Sequence, residues 1–268
     1  MLQPRIQKQI PQRLSHYTNL EALKSILSDR DGKGICLWAF SNKYKNDDQE
    51  IKMGEYMLKR VISTLPKTPL LHNFGDYENT ASISFTEGEV NQHMLDEYGH
   101  IRLEFDLKEI GVGIVSGGLV DCEYVAESQL KDYADEYCEM IRNTFYSIPT
   151  LQEKYGKKSA PPISQLIDFL MMELDIMGKV FCLKEKKWSA EKEWRKVIKL
   201  NPNDANTHYF HKKPYVEYYL DKTTLTGIKV YCSLDTLDIA QENANTIINY
   251  ISERGYNAKV LIERLDEL

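Results

Sequence analysis

The segment richest in chemically useful side chains runs from Trp188 to Arg195, with the sequence WSAEKEWR. If it is an extended strand, the alternation of side chains places Glu191, Glu193 and Arg195 on one face and Trp194 on the other. An arginine two positions from a glutamate can pair with it and fix its rotamer, and such a face can present a carboxylate to a sugar. A surface ion-pair ladder with the tryptophans in the core explains the same pattern, so both interpretations stay open.

A histidine stands near the start of the chain, where His16-Tyr17-Thr18 joins a predicted short strand to a predicted helix. The unpaired N–H groups and partial positive charge of a helix N-terminus can hold a phosphate or a carboxylate. His16 could then hydrogen-bond a ribose hydroxyl or transfer a proton. Equally, Thr18 could be only a helix cap and His16 a half-buried structural ring.

Two further polar segments lie between these ends. Asn46 to Glu50 (NDDQE) holds three carboxylates and an amide, which suit a divalent cation, but it lacks the glycine and the distant glutamate of a calcium loop. Asp47 and Glu50 also have the spacing of a capping box. Ser82 and Ser84 place hydroxyls on one face of a predicted strand. The sequence contains no phosphate-binding glycine loop, no nucleophile elbow and no HExxH motif.

The elements that must position these residues are read from hydrophobic periodicity and turn signals. Strands are predicted at about 14–17, 35–40, 80–85, 100–105, 119–125, 179–183, 194–200, 227–232 and 260–262, and helices at about 20–28, 48–65, 127–146, 162–177 and 235–254. The segment HYFHKKP, residues 208–214, is predicted to be a surface loop. Because helices and strands do not alternate strictly, the predicted fold class is α+β. We expect an arm at 1–13 and a single mixed-sheet domain at 14–268, with a helical insertion at about 127–178.

Composition bounds the class of protein. The chain has 268 residues, a formal charge of −6, 42% hydrophobic and 28% charged residues, which excludes disordered and collagen-like classes. The acidic balance disfavours broad binding to nucleic acid or anionic membranes, although a local basic patch can survive it. Five scattered cysteines without a CxxC pair exclude a zinc ribbon and are typical of reduced thiols. Without an apolar run of membrane-spanning length, we expect a cytoplasmic protein with no membrane partner.

These segments together resemble a bacterial family catalogued as domain of unknown function 2971. The matching residues are His16-Tyr17-Thr18 with Leu23 to Leu27, Asn46-Asp47 with Glu50, Ser84-Phe85, Tyr98, Phe105-Asp106, and Trp188 through Arg195. The resemblance covers roughly residues 14–265. Asp48 stands where the family favours proline, and Leu95 replaces a tryptophan expected before Tyr98, in a segment whose following loop is shortened. If that tryptophan and loop form a ligand wall, the site of this chain is altered.

A further likeness, at the level of the fold, is to ADP-ribosyltransferases. The ordered set His16, then Ser84 or Tyr98, then Glu193 is similar to the motif order of that fold. The likeness implies that His16 holds an NAD ribose and that Tyr98 stacks on nicotinamide. It also implies that Glu193 hydrogen-bonds the nicotinamide ribose and stabilises the developing oxocarbenium charge. The further candidate ligand-binding residues are Thr18, Ser84, Trp188 and Arg195.

Three functions stay open from the sequence. The first is an ADP-ribosyltransferase-like protein that uses or binds NAD, for which His16 and Glu193 must share one cleft. The second is a non-catalytic module that binds a nucleotide, an acidic metabolite or a protein, to which the 17 tyrosines are suited. The third is a metal-dependent hydrolase or nuclease that uses residues 46–50 with Glu191 or Glu193.

Overall fold

The fold is known from a computed structural model. It describes residues 9–44, 48–64, 80–90, 92–110, 118–147, 176, 178, 180–201 and 203–267. Within these residues the chain forms an α+β architecture, as predicted, built on one large mixed sheet. None of the helices in these ranges is both long and apolar enough to cross a membrane.

Twelve strands are described, ten of them in the large sheet. They are β1 (Leu14–Thr18), β2 (Ile35–Ser41), β3 (Thr80–Thr86), β4 (Ile101–Phe105), β5 (Leu119–Asp121), β6 (Glu123–Val125), β7 (Leu183–Glu185), β8 (Glu193–Lys199), β9 (Thr207–Phe210), β10 (Lys213–Leu220), β11 (Leu225–Cys232) and β12 (Lys259–Arg264). The sheet order is β12-β11-β4-β1-β3-β2-β10-β9, while β8 pairs with β3 and β5. Among the described strands of this sheet only β11 and β12 are parallel, and β6 and β7 form a separate parallel pair.

Helices cover both faces of the sheet. The described helices are α1 (Leu20–Ile26), α2 (Asp48–Thr64), α3 (Gln92–Tyr98), α4 (Leu130–Ser147) and α5 (Leu237–Glu253). Apolar side chains of α1 and α5 pack on one face, where they meet alternate residues of β1, β3 and β4. Apolar side chains of α2 and α4 pack with β8 and the β6–β7 pair on the other face. The side chains of successive strand residues therefore enter two different cores, which decides which polar groups can meet.

Strand β3 has an incomplete edge. Strand β8 pairs with it along its whole length on one side. On the other side, β1 reaches only Thr86, and β2 reaches only Ala81 and Ser82. Within the described residues, 83–85 have no strand partner on this side, because β1 and β2 diverge there. This gap lies beside the residues from which the candidate site is built.

Caps and turns confirm the predicted ends of the first and last helices. The side chain of Asn19 accepts a hydrogen bond from the backbone N–H of Ala22 at 2.9 Å, as expected of an N-cap. Gly255, with φ of +70°, follows α5 in the left-handed conformation that suits glycine. Strands β11 and β12, which flank α5 in the chain, pair in parallel and form a β-α-β unit with it.

Four local predictions are wrong or incomplete. The segment 208–214 is a β-hairpin rather than a loop, and the predicted strand at 179–183 begins only at Leu183, since Val180 and Phe181 are helical. The predicted strand at 119–125 is divided at Cys122, because β5 pairs with β8 and β6 pairs with β7. Helix α3 carries Tyr98 and was absent from the predicted elements. The predicted helix at 162–177 and most of the insertion beyond α4 lie outside the described residues.

Candidate functional site

Strand β8 places Glu193 and Arg195 side by side on one face of the sheet. Trp194 points to the opposite face, where it is 1% exposed and its Nε1 donates to Glu87 at 3.2 Å. The predicted alternation of this segment is therefore confirmed for these three residues. Glu191 is different, since it ends a 3-10 helix (Lys186–Glu191) rather than lying on the strand.

The guanidinium of Arg195 holds two carboxylates at once. Its two terminal nitrogens donate to Glu50 at 2.6 and 2.7 Å, and its Nε and Nη2 donate to Glu193 at 2.7 and 3.0 Å. A further hydrogen bond of 2.6 Å reaches the carbonyl of Phe181. The Nε and both terminal nitrogens of Arg195 thus all donate hydrogen bonds. Each carboxylate receives two of them in a planar, bidentate arrangement, which is the strongest kind of charge-assisted contact.

Lys184 completes the group on β7. Its ammonium donates to Glu193 at 2.7 Å and also to Glu191. Burial alone would lower the pKa of Lys184, but the carboxylates of Glu193, Glu50 and Glu191 outweigh it and raise that pKa above its ordinary value. We call Glu50, Lys184, Glu191, Glu193 and Arg195 the charge cluster. All five residues are less than 9% exposed.

The charge cluster contains more carboxylates than cations. Glu50, Glu191 and Glu193 face the two cations Lys184 and Arg195, and the Nε2 of His93 lies 3.6 Å from Glu191. Moving five charged groups from water into the protein interior costs free energy that their mutual attraction often does not recover. An apolar core of the same volume would therefore often be more stable. Buried, mutually perturbing charges are therefore frequent at functional sites.

Neutral hydrogen bonds fix the carboxylate of Glu193 and its strand. Ser84 on β3 donates its hydroxyl to Glu193. The hydroxyl of Tyr124 accepts from the backbone N–H of Glu193 at 2.7 Å, and burial raises the pKa of Tyr124 above its ordinary value. Between Glu191 and Glu193, Lys192 adopts φ of +44°. This left-handed residue turns the chain so that Glu191 reaches the charge cluster although it lies outside the strand.

An aromatic rim adjoins the charge cluster. It consists of Tyr98, His93 and Trp188. The rings of His93 and Trp188 are stacked, with 4.7 Å between their centroids and 23° between their planes. Tyr98 is 48% exposed. Partial burial raises the pKa of its hydroxyl, and its charged neighbours Lys184 and Glu193 act on that pKa in opposite directions, which places it in the field of the cluster.

The indole of Trp188 carries an unsatisfied donor. Its Nε1 is buried, and no hydrogen-bond acceptor is found for it among the residues described. A buried N–H without a partner costs about 1–3 kcal/mol. Such an atom beside a stacked ring and a carboxylate is suited to an acceptor on a bound molecule.

Gly99 fixes helix α3, and hence Tyr98, against the end of β1. Its φ is +112°, and its N–H donates to the carbonyl of Leu95 at 3.0 Å. A Cβ at this position would lie 2.7 Å from the carbonyl oxygen of Thr18. Only glycine permits this close approach, so the end of α3 and the end of β1 are positioned by one residue.

His16 lies next to this site but on the other face of the sheet. Its Nδ1 is 3.0 Å from the carbonyl oxygen of Ser84, at the gap in the edge of β3, and its ring contacts Phe85. Because strand residues alternate, Leu14, His16 and Thr18 share the α1–α5 face. The hydroxyl of Ser84 meets Glu193 on the opposite face. The cleft expected to contain both His16 and Glu193 is therefore not formed by their side chains.

The other predicted ligand-binding residues are divided in the same way. Thr18 is 4% exposed, and its hydroxyl donates to the carbonyl of Asn19 at 3.4 Å, away from the charge cluster. Ser84 and Arg195 are in contact with Glu193, and Trp188 belongs to the aromatic rim. In the segment His16-Tyr17-Thr18, it is Tyr17 that lies on the α3 side of the sheet, where it packs with Met94 and Leu95.

Sequence reasoning missed four contributors to the site: Glu50 as the partner of Arg195, Lys184, Tyr124 and His93. The carboxylate of Glu50 is buried against Arg195, while the predicted capping box involves Asp47, which lies outside the described residues. The register that joins α2 and β7 to β8 is a tertiary property, and nothing in the local pattern carries it. The one signal for Lys184 was the run of charged residues before Trp188, and such a run is also compatible with a solvated surface.

The metal hypothesis gains no support from the described residues. They contain no group of three or more histidine, cysteine or acidic side chains placed to hold a metal ion. Both oxygens of Glu50 are taken by Arg195. Asn46 and Asp47 lie outside the described residues.

Comparison of the chain with known protein families, with curated proteins and with solved structures finds no match. The resemblances drawn from the sequence motifs therefore remain predictions.

Proposed function

We propose that the protein binds a dinucleotide of the NAD type at the charge cluster, with the nicotinamide ring against the aromatic rim. One observation carries the proposal. A buried cluster in which three carboxylates face two cations lies beside stacked aromatic rings and an indole N–H that has no acceptor among the described residues. A cationic, planar ring joined to a ribose satisfies all of these features at once.

Each part of such a ligand has a matching group. The face of a positively charged ring is attracted both to aromatic faces and to a nearby carboxylate. A carboxamide oxygen is the acceptor that the Nε1 of Trp188 lacks. Ribose hydroxyls can donate to the carboxylate of Glu191, one oxygen of which has, among the described residues, only the 3.6 Å contact with His93. Tyr98, half exposed, can close over the ring.

The same site supports cleavage of the bond between nicotinamide and ribose. Nicotinamide would leave with the electron pair of that bond, the oxygen of a water or another acceptor would bond to the anomeric carbon, and one proton would be released. The sugar becomes positively charged on the way, and the oriented carboxylates of Glu193 and Glu191 would stabilise that charge electrostatically. His16 would act only by fixing Ser84, whose hydroxyl holds Glu193.

Binding without turnover is the second candidate, and one observation favours it. Both oxygens of Glu193 already accept hydrogen bonds, from Arg195, Lys184 and Ser84. A carboxylate with its lone pairs occupied can orient a ligand by its charge but is poorly placed to accept a proton.

The experiment combines NAD binding by calorimetry with chromatographic detection of free nicotinamide. Trp188→Phe keeps an aromatic ring but removes the N–H, and we expect it to weaken NAD binding about 5- to 100-fold. Trp38→Phe, at a distant part of the sheet, is the matched control and should bind like the wild type. Glu193→Gln should abolish nicotinamide release if the protein is catalytic.

The outcomes separate the two candidates. Binding with nicotinamide release supports the enzyme, and binding without release supports the binding module. If NAD produces neither binding heat nor a rise in melting temperature, the proposal is wrong.

A further inference from the structure

A second aromatic surface lies at the β9 end of the sheet, away from the charge cluster. It consists of Trp38, Phe40, His208, Phe210 and Tyr215, which we call the aromatic platform. The strand register places Tyr215 opposite both Phe40 and His208. In antiparallel pairs, residues that lie opposite each other point to the same face, so the five rings share one face of β2, β10 and β9.

The rings of the platform are in mutual contact. Trp38 stacks on Tyr215 with 4.5 Å between centroids and 27° between planes, and it lies 5.6 Å from Phe210. His208 lies 5.4 Å from Tyr215. Phe210 is 46% exposed, and Trp38 and Phe40 are partly exposed. This is a continuous aromatic face that reaches solvent at the edge of the sheet.

Cationic side chains flank the platform at both ends. At one end, the two-residue turn of the β9–β10 hairpin is His211-Lys212, with φ of +47° and +66°, and Lys213 follows it. At the other end, the Lys33 ammonium lies 5.2 Å from the ring centroid of Tyr219. The intervening acidic residue, Glu217, is paired with Arg30 at 3.5 Å. The platform is therefore locally basic although the whole chain has a formal charge of −6.

We propose that the aromatic platform binds single-stranded nucleic acid, independently of the NAD-type site. Bases of a single strand stack on exposed aromatic rings, while flanking lysines and arginines contact the phosphates. A duplex keeps its bases stacked on each other and cannot use such a face. A neutral glycan would use the rings but not the cations, and a flat face without aliphatic side chains is a poor membrane anchor. The combination of rings and flanking positive charge therefore favours the single strand.

The hairpin offers a matched pair of variants. Phe210 and Tyr209 are adjacent, both exposed and both aromatic, but they point to opposite faces of β9. The experiment measures the fluorescence anisotropy of a short fluorescein-labelled oligothymidylate with the full-length protein in low salt. Phe210→Ala should weaken binding at least about fivefold, whereas Tyr209→Ala should leave it within about twofold of the wild type.

Substitutions of the flanking lysines and of Trp188 provide two further tests. The double variant Lys212→Ala, Lys213→Ala should reduce the slope of log affinity against log salt by about 0.7 for each phosphate that the protein no longer neutralises. Trp188→Phe should bind the oligonucleotide like the wild type, so failure of the NAD proposal and of this one can be told apart. The proposal is overturned if the oligothymidylate does not bind, if Phe210→Ala and Tyr209→Ala weaken binding equally, or if a duplex or a neutral oligosaccharide binds more tightly.

Discussion

Arg195 is the residue on which the candidate site depends most. It is 2% exposed and is the shared partner of Glu50 and Glu193, which come from a helix and a strand. Lys184, the other cation of the charge cluster, is already divided between Glu191 and Glu193. Arg195 thus joins α2 to the sheet through charge rather than through apolar packing.

We expect Arg195→Met to lower the free energy of unfolding by about 3–5 kcal/mol, because it leaves two buried carboxylates without their guanidinium. Urea denaturation measures this change. The control is Arg13→Met, whose side chain is 65% exposed and lies 4.0 Å from Glu104, so that its loss should stay below about 1 kcal/mol. Equal effects of the two substitutions would show that the cluster does not hold the fold together as described.

The environment of His16 predicts that the free energy of unfolding decreases as the pH falls. Burial lowers the pKa of His16 from its ordinary value of 6.5, and its hydrogen bond with the Ser84 carbonyl opposes part of that shift. The unfolded chain therefore takes up the proton at a higher pH than the folded chain does. The stabilisation is complete above pH 6.5 and is lost as the pH falls from there through the lowered pKa.

His16→Gln keeps a donor for the Ser84 carbonyl but does not titrate. Relative to this variant, the wild type should lose at most about 1.4 kcal/mol of unfolding free energy per pH unit below about pH 6.5. Denaturant titrations at several pH values measure the difference. Parallel pH profiles of the two proteins would contradict the lowered pKa of His16.

For individual side chains, the sequence predicted a contact between residues that are close together in the chain, but it did not predict which face of the sheet a side chain occupies. The pairing of Glu193 with Arg195 follows from their separation of two residues and is confirmed. The same alternation applied to β1 could not predict that His16 and Glu193 point to opposite sides, because the register between β1, β3 and β8 is set by pairings far apart in sequence.

At the scale of elements, the rim depends on where α3 ends. Gly99 combines φ of +112° with a close approach to the Thr18 carbonyl, whereas Gly255 has φ of +70° with open space around it. The two glycines thus separate the cost of the backbone conformation from the cost of a steric clash.

Gly255→Ala should cost about 1–2 kcal/mol of unfolding free energy from its dihedral angle alone. Gly99→Ala should cost clearly more, since its added Cβ must displace backbone that joins α3 to β1. Thermal and urea denaturation measure both variants side by side. A Gly99→Ala variant as stable as Gly255→Ala would show that α3 is not fixed in this way.

Long periodic elements were predictable from the sequence, and short ones were not. Helices α2, α4 and α5 and strands β2, β3, β4 and β11 lie close to their predicted positions, because each carries a clear apolar periodicity. Strand β10 was missed because the proline, valine and tyrosines of KPYVEYYL do not give a clean alternation. Val180 and Phe181 were assigned to a strand because a short, fully buried apolar run has no period of its own.

At the scale of the whole molecule, the two faces of the large sheet have different roles. The α1–α5 face is an apolar core into which His16 and Trp194 project. The opposite face carries the charge cluster on β8 and the aromatic platform on β2, β10 and β9. Ser82 and Asn42, joined by a hydrogen bond of 2.6 Å, lie between them. The two proposed ligands would thus use the same face of the sheet at separate places.

We expect the carboxylate-rich charge cluster to select a cationic ring over a neutral one. Oxidised and reduced nicotinamide dinucleotides test it directly, because they differ in the charge of the ring and scarcely in its size. Calorimetric titration of the wild-type protein with each should show the oxidised form binding at least about tenfold more tightly, which corresponds to about 1.4 kcal/mol. Equal affinities, a preference for the reduced form, or no binding of either would contradict the binding of a cationic ring at the charge cluster.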